Sequence, residues 1–322
     1  MGSKIGEGGG STLRCLEQGE DFMQAVQRKS IINRSNEANI FGYLFILPAL
    51  AFIGLFLVYP AIQLFQYSVS DITFFSQSYK YVGSENFTRI LGDSDFMKSL
   101  SNSFYFALVV VPVQSGIALI LAFLLSKVSK GASVFRTLYF FPVVTSMSLV
   151  AWVWKFMYQP DFGLVNSIFE KLGIGSQGLL GDAGQAFNCI ILTCIWKSFG
   201  WYMVIFFIGI LGIPRELYES GMIDGTTPFK EFLFITLPLL RRTMLLVIIM
   251  TTMDALKIFT PVFIMTDGSG GPLNSTNVVI NYVYNTAFKG GQLGYASSAA
   301  VVVFLIILLI SAVQFKLLNR ED

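Results

Sequence analysis

The sequence predicts an all-α integral membrane protein with six transmembrane helices. Three observations carry this: a low charge content, long apolar blocks, and an uneven distribution of Lys and Arg among the connecting loops. Of 322 residues, 54% are hydrophobic and only 13% are charged, against about a quarter charged in an average soluble domain. The mean hydropathy is +0.64. The apolar residues fall into six windows at 41–65, 103–126, 136–158, 187–212, 243–265 and 294–318, each near the ~20 residues that a helix needs to cross a ~30 Å hydrocarbon core. The stretches between them are polar and rich in Gly, Asn and Ser, as loops should be.

The composition excludes several functions. There is no histidine, which removes Ser-His and Cys-His nucleophile pairs, His-ligated zinc and His proton relays. The net charge of +2 is too balanced for a nucleic-acid binder, which normally shows a basic face. Cys15, Cys189 and Cys194 cannot build a disulfide framework. No catalytic residue, no metal site and no cofactor bound by the chain itself are expected.

The segment 1–40 is too polar for a secretory signal. Leu13, Leu16, Phe22, Met23 and Val26 share one side of a helix, so this part is read either as a helix on the inner membrane surface or as a tail. The first span and its outer loop occupy 41–102, the remaining spans 103–318, and a short tail 319–322. Most of the 22 Lys and Arg lie in 1–40, in the loops 127–136 and 213–242, and in the tail, while the other loops hold Lys80, Arg89, Lys98, Lys171 and Lys289. The positive-inside rule then puts both termini in the cytoplasm. Pro48, Pro60, Pro112, Pro142 and Pro261 lie within spans. Each kinks a helix, either as simple irregularity or because the bundle bends around a passage.

The fourth loop, 214–238, is the most informative. Pro214 is placed to start a helix, with Glu216 and Glu219 near its positive dipole end. Gly225 can end that helix in a left-handed conformation. Thr227 and Pro228 suit the cap and first position of a second, apolar helix containing Phe229, Phe232, Leu233 and Phe234. Leu237-Pro238 closes it before the fifth span. The small pair Ser220-Gly221 would let another surface approach the first helix closely.

The order and spacing here matter. Glu219, two small residues, three residues, Gly225, nine residues and Ile235-x-Leu237-Pro238 resemble the signature loop of ABC importer permeases, Glu-Ala-Ala, three residues, Gly, nine residues, Ile-x-Leu-Pro. Asp224-Gly225 also matches; Ser220-Gly221 replaces Ala-Ala, and Gly221 lowers helix propensity by roughly 1 kcal/mol relative to Ala. Further landmarks agree: Tyr81-Val-Gly-Ser-Glu-Asn-Phe87, Gln159-Pro-Asp-Phe-Gly-Leu-Val-Asn166, Lys257 to Thr266 followed by Gly270-Gly-Pro272 and Ser275-Thr276, and Gly294-Tyr-Ala-Ser297. They are most similar to the carbohydrate branch, the maltose and glycerol-phosphate type permeases, and to the first subunit of a heterodimeric pair.

The resemblance implies a type I ABC importer (MetI-like) permease fold in a bacterial cytoplasmic membrane. It implies a second permease subunit, an ATPase dimer holding ATP and Mg, and an extracytoplasmic binding protein that delivers a sugar or oligosaccharide. No G-x-x-x-x-G-K-[ST] phosphate loop occurs in the chain, so ATP hydrolysis is expected in a separate subunit. Glu219, Ser220, Gly221, Asp224, Gly225, Ile235, Leu237 and Pro238 would couple the permease to that ATPase. The outer loops 71–102 and 159–186 are either a docking surface for the binding protein or plain connections.

Polar groups within spans are expensive and face a cavity or a partner. Lys155 is expected to snorkel at the outer end of span three. Asp254 and Lys257 are three apart and can pair on one helical face. Lys197 lies near mid-depth among aromatics, which suits a sugar that needs hydrogen bonds and ring stacking. Trp196, Lys197, Gly200, Tyr202 and Lys257 are therefore candidates to line a solute cavity, or else to pack between helices. Thr260 stands where the family often has an acidic residue. Another polar solute such as glycerol phosphate is an alternative. An ion-coupled secondary transporter is another, but it would want midplane acids and an internal repeat, and Asp254 is the one acidic residue within a predicted span.

Overall fold

A computed structural model describes residues 43–73, 80–128 and 131–319. The possible N-terminal surface helix lies outside the described residues. The chain divides into two compact units, Met1–Gln63 and Leu64–Asp322.

The first apolar window becomes helix α1 (Tyr43–Ser68). A π segment, Gly54–Val58, sits inside it and closes with the Tyr59 N–H donating to the Gly54 carbonyl. Pro60 follows directly. The wider turn shifts the hydrogen-bond register just where a proline cannot donate.

The second unit opens with two short antiparallel strands, β1 (Ser70–Asp71) and β2 (Lys80–Tyr81), and helix α2 (Glu85–Leu91). The landmark segment 81–87 has a structural task here. Buried Asn86 donates to the Ser68 and Ser70 carbonyls at 3.1 and 3.0 Å.

Helix α3 (Ser94–Lys127) is the longest element, with 34 residues. It begins nine residues before the apolar window at 103, so the division drawn at 102/103 falls inside a continuous helix. Asp93 caps it, its Oδ1 accepting from the Asp95 and Phe96 N–H groups at 2.8 and 3.1 Å. A capped polar first stretch extends a helix beyond its membrane-crossing part.

The third span is broken. Helices α4 (Ala132–Val144) and α5 (Met147–Met157) meet at 92°. The bend falls just after Pro142, at Thr145 and Ser146, which are both extended. The Thr145 hydroxyl donates to the Pro142 carbonyl at 2.6 Å and satisfies one acceptor at the opened end.

The loop between the third and fourth spans carries α6 (Leu164–Lys171). Buried Asn166 folds it, donating to the Pro160 and Gln177 carbonyls at 3.1 and 2.9 Å and accepting from the Gln177 N–H at 3.1 Å. Helix α7 (Ala186–Leu211) is continuous and packs along α3 more extensively than any other pair of elements.

After the fourth loop, α10 and α11 form the fifth span (Arg241–Leu256 and Thr260–Met265), separated by three non-helical residues, 257–259. Helix α12 (Val279–Tyr284) lies in the loop before the last span, and α13 (Leu293–Asn319) forms that span. The fourth loop itself holds α8 (Arg215–Ile223) and α9 (Pro228–Glu231), α9 running on through a π segment (Phe232–Thr236) and a last turn (Leu237–Leu239).

Candidate functional site

The fourth loop forms an elbow with a defined geometry. Pro214 is the cap residue before α8 rather than its first helical residue. The helix ends in a Schellman arrangement: the Thr226 N–H donates to the Gly221 carbonyl at 3.0 Å and the Gly225 N–H to the Met222 carbonyl at 3.1 Å. This needs a left-handed residue just past the cap, and Gly225 supplies it at φ +73°. Thr227 then caps α9, its hydroxyl accepting from the Lys230 N–H at 3.4 Å, with Pro228 in the first turn. A second π segment, Phe232–Thr236, again precedes a proline, Pro238.

The two faces of α8 differ. Glu219, Ser220 and Asp224 are exposed, while Tyr218 is half-buried and Gly221 buried. A Cβ at Gly221 would lie 2.8 Å from Ile235 Cδ1 and 3.0 Å from Thr226 Oγ1. At Gly221 the close approach is made by the elbow's own second arm, because the sharp turn folds Ile235 back onto α8, whereas Ser220 stays exposed. Leu237 is partly buried in the core, and Pro238 is exposed. Beside Glu219 the elbow exposes large apolar side chains, Met222, Ile223, Phe229 and Phe234. Met222 and Ile223, three and four residues on from Glu219, share its side of α8. Burial, and after it the charge of Glu231, raises the Tyr218 phenol above its ordinary value, with the Thr236 hydrogen bond pulling the other way.

A cavity of about 390 Å³ lies between α3, α7 and the broken fifth span. Its polar lining comes from Gln114, Lys197, Ser198, Tyr202, Thr251, Asp254 and Thr260, and Phe106 and Phe259 add aromatic surface. Tyr202 donates to Asp254 Oδ2 at 2.7 Å, and the Lys197 ammonium donates to the Val143 carbonyl at 3.0 Å, beside the opened end of α4. The broken third span thus leaves a carbonyl that an intramembrane cation satisfies.

Of the five cavity candidates, Lys197 and Tyr202 line this cavity. The other three candidates do not. Trp196 lies on another face of α7, edge-on to Trp154 at 5.4 Å and in a separate apolar pocket of about 200 Å³. Gly200 is a contact point: a Cβ there would sit 2.1 Å from the Tyr139 carbonyl oxygen, so its lack of a side chain lets α4 cross α7. On a 3.6-residue period Cys194, Lys197, Ser198 and Tyr202 share one face, and positions 196 and 200 share another. Lys257 is exposed beyond the last turn of α10. It makes no ion pair with Asp254 among the described residues. The helix stops at Leu256, so the three-residue spacing no longer sets both side chains on one face. Lys155 does more than snorkel: it pairs with Asp267 at 2.5 Å and stands over the Trp152 ring at 5.1 Å. Gln114, Ser198, Thr251 and Phe259 were not singled out from the sequence. Phe259-Thr260-Pro261 was the available signal, since a proline in the first turn marks a helix start and hence a break before it.

The sequence pattern of the family described as "Binding-protein-dependent transport system inner membrane component" matches residues 90–321. The chain belongs to this family. As a permease it is 33% identical over 285 residues to the probable ABC transporter permease protein YurN of Bacillus subtilis, covering 87% of this chain and 97% of that one. It is 32% identical over 295 residues to the lactose transport system permease protein LacF of Rhizobium radiobacter, covering 90% and 97%. Among solved structures, a bacterial alginate ABC transporter in complex with an alginate pentasaccharide-bound periplasmic protein contains a chain that matches with a TM-score of 0.78 at 22% identity, over 88% of this chain and 96% of that one. At that identity the likeness is one of fold, and the fold is that of an ABC importer permease. The protein is thus a membrane permease component with several membrane-spanning helices, not an enzyme.

Proposed function

We propose that this permease carries a sugar or oligosaccharide, delivered by an extracytoplasmic binding protein, through the membrane by ATP-driven alternating access. The observation that carries the reading is the elbow: a Schellman-capped helix whose exposed face offers Glu219 with Met222 and Ile223 beside it. Such a surface suits a cleft on an ATPase, where Glu219 would make a charge-assisted hydrogen bond and Met222 and Ile223 would bury apolar area. Closure of the ATPase dimer around ATP and Mg then moves the elbow, and rocking of the helices exposes the cavity to alternate sides. The Lys and Arg distribution supports a cytoplasmic elbow and cytoplasmic termini. Two clefts on one ATPase dimer call for a second permease with its own elbow, in a heterodimer whose partner completes the cavity.

The cavity supports a saccharide. It combines uncharged hydrogen-bonding groups, Gln114, Ser198, Tyr202 and Thr251, with the Phe259 ring, and its carboxylate and ammonium balance in charge. The Asp254 carboxylate disfavours a phosphate ester there, while the Lys197 ammonium, with one N–H on the Val143 carbonyl, keeps two for solute hydroxyls. The lactose permease named above supports the same class.

The test uses the purified complex of both permeases, ATPase and binding protein in liposomes. Neutral di- and oligosaccharides should stimulate ATP hydrolysis and accumulate inside, and glycerol phosphate should not. Lys197→Met should change the concentration of saccharide needed for half-maximal uptake by about tenfold, the size of a lost charged hydrogen bond. Identical uptake kinetics for every solute would remove Lys197 from the pathway.

A further inference from the structure

The elbow grips a helix outside the fourth and fifth spans that it joins. Lys127 is the last residue of α3, and its ammonium pairs with the Glu231 carboxylate of α9. The same ammonium stands over two rings, 5.4 Å from the Phe123 centroid and 4.8 Å from that of Tyr218 in α8. The Phe123 ring meets Phe232 at 5.0 Å. The Tyr218 hydroxyl lies 3.2 Å from Thr236 Oγ1 and so joins the elbow's two arms. The last turn of α3 is therefore held by one side chain from α8 and two from α9.

Glu231 differs from the other acids of the elbow. Glu216, Glu219 and Asp224 face outward, whereas Glu231 is only 8% exposed. Separating the elbow from α3 would break this pair and open the Phe123–Phe232 contact together, so the two elements are favoured to move as one. Helix α3 also supplies Phe106, Val110 and Gln114 to the cavity wall and packs along α7, which supplies Lys197 and Tyr202.

We propose that Lys127 and Glu231 are positioning residues of transport: they clasp α3 to the elbow, so that displacement of α8 is transmitted to the α3–α7 wall of the cavity. The inference rests on reading 214–238 as the ATPase-docking element. It adds a route of force beside the two spans that the elbow joins.

The test again uses the whole complex in liposomes and reads solute moved per ATP hydrolysed. Lys127→Met and Glu231→Gln should retain the ATPase on purification and still hydrolyse ATP, but lower that ratio by about fivefold or more, within the usual range of coupling between sites. Lys127→Arg should keep the parental ratio, and the swap Lys127→Glu with Glu231→Lys should recover at least half of the loss. Parental ratios in both single variants would overturn the clasp. A second measurement leaves the pair intact: spin labels at exposed Leu124 and Arg215, with Cys15, Cys189 and Cys194 replaced by Ser. Their separation should hold through the nucleotide cycle. A change above about 4 Å, beyond the ~1–2 Å shifts of packed interface helices, would overturn the clasp even if Lys127→Met failed to fold. Retention of the ATPase by the parental chain reports on the docking reading alone; the ratio and the label distance report on the clasp.

Discussion

The two ends of α3 are held by different physics. At its start, Asp93 Oδ2 accepts from the Tyr282 and Tyr295 hydroxyls at 2.7 and 3.0 Å, while Oδ1 caps the helix. Lys98 donates to the Leu273 carbonyl at 2.7 Å, Asn102 to the Asn277 carbonyl at 2.9 Å, and the Val279 N–H to Ser103 Oγ at 2.9 Å. These are short, directional bonds to backbone and phenol groups from two later elements, α12 and α13, and from the loop before α12. At the other end, one ion pair and two ring contacts, Lys127 over Tyr218 and Phe123 against Phe232, hold the helix to the elbow. Directional bonds fix a position, because breaking one leaves a half-buried group unpaired. Ring and cation contacts tolerate small rotations and still hold. One helix thus has an anchored end and a jointed end, and the jointed end faces the element proposed to receive force.

The largest effect that sharpens this contrast is expected at the elbow. Glu219→Ala removes an exposed carboxylate that makes no ion pair within the chain among the described residues. The folded permease should keep its thermal midpoint. Uptake should fall tenfold or more, the equivalent of one charged hydrogen bond of ~1.5–3 kcal/mol lost at the docking surface. Unchanged uptake in a stable complex would break the assignment of the jointed end to coupling.

The anchored end should behave in the opposite way. Asp93→Ala loses a helix cap and two phenol hydrogen bonds. It should cost about 2 kcal/mol and lower the midpoint by about 5 °C. Uptake per folded complex should stay within about twofold, since Asp93 lies away from both cavity and elbow. A large loss of uptake without loss of stability would show that this end also moves.

Acid gives a third, smaller test of the same anchor. Burial pushes the Asp93 carboxyl up, but hydrogen bonds from Tyr282, the Phe96 N–H, Tyr295 and the Asp95 N–H outweigh it and hold it below its ordinary value. A depressed carboxyl stabilises the fold fully above the unfolded value of 3.8 and loses that contribution as the pH falls through the lower folded value. The midpoint should therefore drop in that acid range for the parent, and Asp93→Asn should lack this component.

Much of this architecture was legible in the sequence, and the misses have a common origin. The five long apolar helices and the bent pair, the elbow's turn at Gly225 and its capping by Thr227 follow from apolar blocks and cap chemistry, which are local. The cavity is a tertiary property. Trp196 and Gly200 neighbour Lys197 and Tyr202 in sequence, but their positions on α7 fall on a different helical face. The Asp254 and Lys257 pairing presumed an unbroken fifth span, and the backbone leaves the helix at Lys257 before restarting at Thr260. The partners of Asp93 lie about 190–200 residues away along the chain, beyond any periodicity. The clasp at Lys127 and Glu231 is equally remote, spanning 104 residues.

The smallest effect tests whether a short distance alone makes an anchor. Lys155 and Asp267 approach to 2.5 Å and tie the broken third span to the end of the fifth. By distance this contact outranks every bond around Asp93. By environment it does not, since the Asp267 side chain is 74% exposed and water and salt screen it. Exposed pairs contribute about 0–1 kcal/mol. Lys155→Met keeps the stem that packs near Trp152 and removes only the charge. It should cost about 0.5 kcal/mol or less, and thermal midpoints of parent and variant should converge at roughly 1 M salt, where the screening length is ~3 Å. A cost as large as that of Asp93→Ala would mean that the third and fifth spans are locked together at this point. The anchored region would then extend past the start of α3 to the bend at Thr145 and Ser146, and less of the cavity wall would be free to follow the elbow.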